Sequence, residues 1–195
     1  MSTAGGAEAT RERILAAAFT EFAAHGVAGA RVDRIAQAAG CNKNLIYVYF
    51  DSKENLFTRV LSGTLATIYG DLPFPTRNVS EFAGRTFDFA MANPDMLRLL
   101  AWSTLNEQTR YPPDRLATHA TNVDRIELAQ ADGAVTDEFP AEFILTAVLS
   151  LTTCWAPAMP FGLSIQPNPT VSTAQIRESV VRAVAAMLGE RIPAQ

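Results

Sequence analysis

Apolar positions recur along this chain with the period of a helix. From about Thr10 to His25, Ile14, Leu15, Ala18, Phe19 and Phe22 form one stripe, and Gly26 stops it. From Val32 to Ala39, Val32, Ile35, Ala36 and Ala39 fall at i, i+3, i+4 and i+7. Leu45–Phe50, rich in branched and aromatic residues, reads as a strand when taken alone. Its short length and the capping residues on both sides assign it instead to a helix over Lys43–Tyr49. Ile46, Tyr49 and Phe50 then face the first two stripes, and Lys43, Asn44, Leu45, Tyr47 and Val48 face outward. A fourth helix, about Ser52–Tyr69, ends before the breaker run Asp71-Leu72-Pro73-Phe74-Pro75, which reads as a linker. Five more helices follow: about Val79–Ala92, Pro94–Gln108, Pro112–Ala131, Ala141–Ala156 and Thr173–Gly189. Pro157–Pro169 reads as an extended loop. The pattern predicts an all-α chain.

The joints carry the chemistry. Gly40 ends the second helix, because glycine takes a left-handed backbone without steric cost. Asn42 is placed to cap the next helix, and Asp51 or Ser52 the one after, with Glu54 completing a capping-box pattern on Asp51. Helix, three-residue turn, helix is the helix-turn-helix signature. Lys43 and Lys53 are the only lysines among 16 basic residues, and each falls in the first turn of a helix. The macrodipole disfavours a cation there. An external phosphate, held jointly by the ammonium and the exposed backbone N–H groups, accounts for the placement. Arg31 opens the second helix in the same way.

Gly40-Cys41-Asn42-Lys43-Asn44-Leu45-Ile46-Tyr47-Val48-Tyr49-Phe50, followed by Ser52-Lys53-Glu54 and Leu56, resembles the DNA-binding domain of the TetR family of one-component regulators. Motifs carry the resemblance over Thr10–Phe57, and length and helical character carry it beyond. It implies an N-terminal three-helix DNA-binding domain followed by a C-terminal helical domain for ligand binding and dimerisation. Where similar proteins often have threonine or serine at the start of helix two, this chain has Ala30 and Arg31, and it has Leu45 where they often have threonine. The expected domains are a flexible arm over 1–9, a helix-turn-helix domain over 10–56 and an effector and dimerisation domain over 57–195. Arg31, Asn42, Lys43, Asn44, Leu45, Tyr47, Val48 and Lys53 are the candidate DNA-binding residues. Lys53 and Tyr47 are assigned to the backbone, and Lys43, Asn44, Leu45 and Val48 to base edges.

Charge narrows this picture. The formal net charge of −4 argues against a general nucleic-acid binder, so DNA contact needs a local patch. Through Leu56 the six basic and six acidic side chains balance, and the acidic excess lies in the remainder. With 48% apolar residues and a mean hydropathy of +0.07 the chain is globular. Cys41 and Cys154 are far apart, which fits a reducing cytoplasm rather than a disulfide framework. The most apolar run, Phe143–Ala156, falls short of the ~20 residues that a membrane span needs.

The last two helices look like an interface. Ala141–Ala156 is apolar nearly all round, and Ile176, Val180, Val181, Val184, Met187 and Leu188 make a second stripe. Paired with a symmetry mate they give a four-helix homodimer bundle, which the resemblance also implies. Between linker and interface lie the large rings able to enclose an apolar pocket. Trp102, Tyr111 and Trp155, with Asn106 and Asn122, are the candidate ligand contacts. Neither histidine has metal-site company, and no phosphate loop or nucleophile elbow occurs, so no enzyme, metal or cofactor is expected. The expected function is a dimeric, cytoplasmic repressor that binds a near-palindromic double-stranded operator and is released by a small apolar or amphipathic effector. The alternatives are a helical small-molecule carrier and an architectural DNA-binding protein of the same fold.

Overall fold

A computed structural model describes residues 3–105, 113–162, 165 and 170–190. Among them every regular element is an α-helix: α1 (Thr3–Gly29), α2 (Val32–Ala39), α3 (Lys43–Phe50), α4 (Lys53–Asp71), α5 (Val79–Ala92), α6 (Pro94–Leu105), α7 (Pro113–Ala131), α8 (Ala141–Thr153) and α9 (Thr173–Leu188). No described helix is long and apolar enough to cross a membrane. The chain forms two compact units, Met1–Thr67 with Asp95–Pro112 and Ile68–Pro94 with Pro113–Gln195. The division therefore differs from the expected boundary at 56/57. Helix α4 contributes to both units, and α6 belongs with the N-terminal one.

The first unit is built on α1. Ile14, Ala18 and Phe22 are fully buried, joined by Val32, Ile35, Ala36 and Ala39 of α2, Ile46 and Phe50 of α3, and Leu56 and Phe57 of α4. Phe22 and Phe57 meet edge-on with ring centroids 5.2 Å apart, the geometry that the ring quadrupole favours. The segment expected as an arm is helical from Thr3. Ala7, Glu8 and Ala9 are good helix formers, and the Thr10 hydroxyl donates to the Gly6 carbonyl, which extends the helix ahead of Thr10 in spite of Gly5 and Gly6.

Gly26 interrupts α1 as its sequence predicts. Its φ of 64° and ψ of −179° lie where L side chains are strained, and one further turn follows to Gly29. Trp102 of α6 is the reason for a glycine here. A Cβ on Gly26 would come within 2.8 Å of the indole ring, and the indole N–H donates to the Ala23 carbonyl at 3.2 Å.

The second unit has one core, in which Phe82, Phe87, Ile144, Leu145, Val148, Val180 and Val184 are among the buried side chains. Helices α8 and α9 both pack on α5. Helix α8 is not covered all round. On α8, Phe143 and Leu149 remain 52% and 38% exposed. Helix α8 stops at Thr153, three residues earlier than its apolar run, where the Thr152 and Thr153 hydroxyls donate back to Val148 and Leu149 carbonyls. Helix α9 opens with a complete capping box, Ser172 and Gln175 satisfying each other's backbone N–H groups. Of the expected loop at 157–169, residues 163, 164 and 166–169 lie outside the described set.

The start of α5 is held from 111 residues away. Asn78 is left-handed and makes no cap of its own, and the Glu190 carboxylate accepts the N–H groups of Val79 (2.7 Å) and Ser80 (3.0 Å) instead. Glu190→Ala is expected to cost ~1–2 kcal/mol, the range of a lost helix cap. Denaturant unfolding followed by circular dichroism measures it, and an unchanged midpoint would contradict the capping role.

Candidate functional site

The reading head is assembled by local polar bonds that the sequence around Gly40 dictates. Gly40 is left-handed (φ 62°, ψ 41°). Its N–H donates to Gln37 and that of Cys41 to Ala36, so the last carbonyls of α2 are satisfied and the chain turns sharply. Asn42 then caps α3, its side-chain oxygen accepting the Asn44 N–H at 2.9 Å. Ile46 and Phe50 seat α3 on the core and Tyr49 is half-buried, which leaves the opposite side in solvent. Tyr47 is 41% and Val48 74% exposed, and Lys43 and Asn44 are exposed beside them. Leu45 is half-buried at the edge of this face.

Further polar contacts tie the helices of the head to one another. Glu21 of α1 accepts from the Arg31 N–H and from the Arg34 guanidinium, both at 2.8 Å, tying α1 to the start of α2. Burial works against its charge, but the bonds from Arg34 and Arg31, with the nearby charges of Arg34 and His25, hold its carboxyl below the usual range. The Lys43 amine meets Asp33 at 2.9 Å, and this bond raises its pKa. The Lys53 amine donates to the Ala30 carbonyl at 3.3 Å and clasps α4 to the α1–α2 junction. Both lysines thus have internal acceptors, which gives their position at helix starts a reason besides phosphate. Of the two residues expected to cap α4 it is Ser52 that does so, and the expected box is the part corrected. Ser52 accepts from Asn55, and Asp51, left-handed at φ 62°, forms no box with Glu54.

The described candidate ligand contacts are distributed over both units. Trp102 lies in the N-terminal unit, where its ring covers Gly26 and packs within the head. Asn106 and Tyr111 lie outside the described residues. Trp155 packs against the second unit's core, and its indole N–H is buried without a hydrogen-bond partner among the described residues. Asn122 lines a cleft of about 300 Å³ in the second unit, between α7 and the segment Tyr69–Phe74. Arg125, four residues from the core residue Ala129, stands in the same cleft and escaped the sequence reading. A lone arginine among helical residues carries no signal until the linker is seen folding back over it.

A short exposed helix behind a glycine turn, on a three-helix support in an all-helical chain, defines a helix-turn-helix DNA-binding regulator. Comparison with known proteins gives the particular group. Residues 14–60 match the family described as bacterial regulatory proteins, tetR family, and residues 78–185 match the tetracyclin repressor-like C-terminal domain. The HTH-type transcriptional repressor SCO4008 of Streptomyces coelicolor is 36% identical over 156 residues, 78% of this chain and 81% of that protein. The repressor NicS of Pseudomonas putida is 31% identical over 145 residues, 68% of each chain. The crystal structure of a putative transcriptional regulator, SCO4942 of Streptomyces coelicolor, superposes with a TM-score of 0.84 at 33% identity, covering 93% of this chain and 99% of that one. AibR, solved with isovaleryl coenzyme A and operator DNA, shares the fold at a TM-score of 0.68 and 15% identity, over 94% of this chain and all of that one. The chain belongs to the TetR family of transcriptional regulators. It is a DNA-binding regulator and not an enzyme, and the carrier alternative is set aside.

Proposed function

We propose that the protein is a homodimeric repressor that reads a near-palindromic operator with α3 and leaves it when a small molecule binds the C-terminal unit. The observation that carries the reading is the outward face of α3. Asn44 offers an amide able to pair with adenine N6 and N7, Val48 offers a methyl surface for thymine, and Tyr47 offers a hydroxyl to the backbone. Lys43, Lys53, Arg31 and the Asn42 turn supply phosphate contacts and position, with Leu45 packing at the edge of the groove. A phosphate competes well for Lys43 against Asp33, because both partners of that ion pair stand in solvent.

The outward sides of α8 and α9 fit a dimer. Phe143, Thr146, Leu149 and Ser150 share one side of α8, and Ser179, Ala183 and Ala186 one side of α9. Small residues let a second pair of helices approach closely, giving a four-helix interface. The ligand favours a dimer form whose two heads no longer match successive major grooves. AibR, solved in complex with isovaleryl coenzyme A and operator DNA, has the same fold. Its place of work is the cytoplasm, with the DNA.

Selection of binding sites from a random duplex pool tests the assignment. Wild type is expected to enrich a two-fold symmetric site, with affinity falling steeply as salt rises. Asn44→Ala is expected to relax one base position in each half-site, at a cost of about 1–3 kcal/mol. Unchanged base preference in the variant would remove Asn44 from the reading set, and no enriched site at all would overturn the operator reading.

A further inference from the structure

The cleft beside Asn122 has a chemistry of its own. Five residues of α7 line it, at spacings that bring them to one side of the helix, and Tyr69, Leu72, Pro73 and Phe74 close it from the other side. Leu72, Pro73 and Phe74 give an apolar wall. No carboxylate lines the cleft, yet the half-buried Arg125 guanidinium stands in it with no ion-pair partner among the described residues. One of its amino groups donates to the Phe74 carbonyl at 2.8 Å, which fixes the head while leaving other N–H groups for a second acceptor. The Tyr69 hydroxyl and the Asn122 amide make no hydrogen bond among the described residues. Burial raises the Tyr69 pKa against the pull of Arg115, so near neutral pH it is an O–H donor.

We propose that this cleft is the effector site and that it selects a small amphipathic carboxylate. The inference rests on the reading of the C-terminal unit as the sensing unit and names the ligand class for it. The carboxylate lies against Arg125, whose planar fork suits two parallel bonds to such a group, with Tyr69 and Asn122 as further donors. Its hydrocarbon part lies on Leu72 and Phe74. A single lining cation is balanced by a monoanion. The volume equals on the order of ten waters, which sets the size at a short acyl chain or one ring.

Isothermal titration of the full chain with phenylacetate and hexanoate, each against its neutral amide, tests the proposal. Each carboxylate is expected to bind at least ~10-fold more tightly than its amide, about 1.4 kcal/mol. Arg125→Gln is expected to erase the preference. Because that change also loosens the tie to Phe74, Tyr69→Phe is run beside it. The second variant keeps the ring and should weaken carboxylate binding several-fold at an unchanged melting temperature. Equal affinities for acid and amide, no binding of any of the four, or a preference that survives both variants would each overturn the carboxylate site. Release of the operator by the amides and not the acids would do so too, while leaving effector-controlled DNA binding intact. Failure of that broader reading shows separately, as absence of operator binding with no compound added.

Discussion

Gly26→Val is expected to destabilise the N-terminal unit by roughly 2–6 kcal/mol and to abolish operator binding with it. Two costs combine. A branched side chain is forced into a positive-φ backbone, at ~1–3 kcal/mol, and its Cβ enters the space of the Trp102 ring, at another ~1–3 kcal/mol of overpacking. The observed 2.8 Å approach leaves no room, because the indole is held by its bond to Ala23. The two parts can be separated. Trp102→Leu in the Gly26→Ala background should recover the packing part and leave the backbone part, so the pair should be non-additive by more than ~0.5 kcal/mol. Urea unfolding of the four proteins closes the cycle. A Gly26→Val protein that unfolds like wild type would show that the tryptophan does not rest on Gly26 in solution.

The second large effect is expected at the outer faces of α8 and α9. Leu149→Glu with Ala186→Glu should give a well-folded monomer and lower operator affinity by at least ~100-fold. In a two-fold interface each substitution occurs twice, and each uncompensated charge that is buried costs about 3–5 kcal/mol. Both positions are exposed in the single chain, so the fold has little to lose from them. Light scattering after gel filtration reads the mass, and a duplex titration reads the affinity. A dimer that persists in this variant would move the interface elsewhere.

What was legible in the sequence was local. Helix α5 begins and ends where its apolar spacing and flanking residues place it, and α2 and α3 follow from Gly40 and Asn42, because caps act within four residues. The exposed face of α3 followed from seating Ile46 and Phe50. What escaped was polar and remote. Nothing near Glu190 marks it as the cap of a helix 111 residues earlier, and nothing near Arg125 or Trp102 announces the Phe74 or Ala23 carbonyl. Such bonds depend on where helices pack, which periodicity leaves open. The two lysines show the same limit. Their unfavourable place at helix starts was real, but Asp33 and the Ala30 carbonyl answer it within the chain.

The assignment of α6 to the N-terminal unit bears on how this protein can be cut and recombined. A hybrid regulator made by joining its first sixty residues to a foreign sensor would carry off the glycine notch and leave behind the tryptophan that fills it. The transplanted head would then expose the Ala23 carbonyl and the Gly26 backbone that the indole covers. The heritable module is therefore discontinuous: swaps that respect it must move Pro94–Leu105 together with the head, or install a tryptophan-bearing helix in its place.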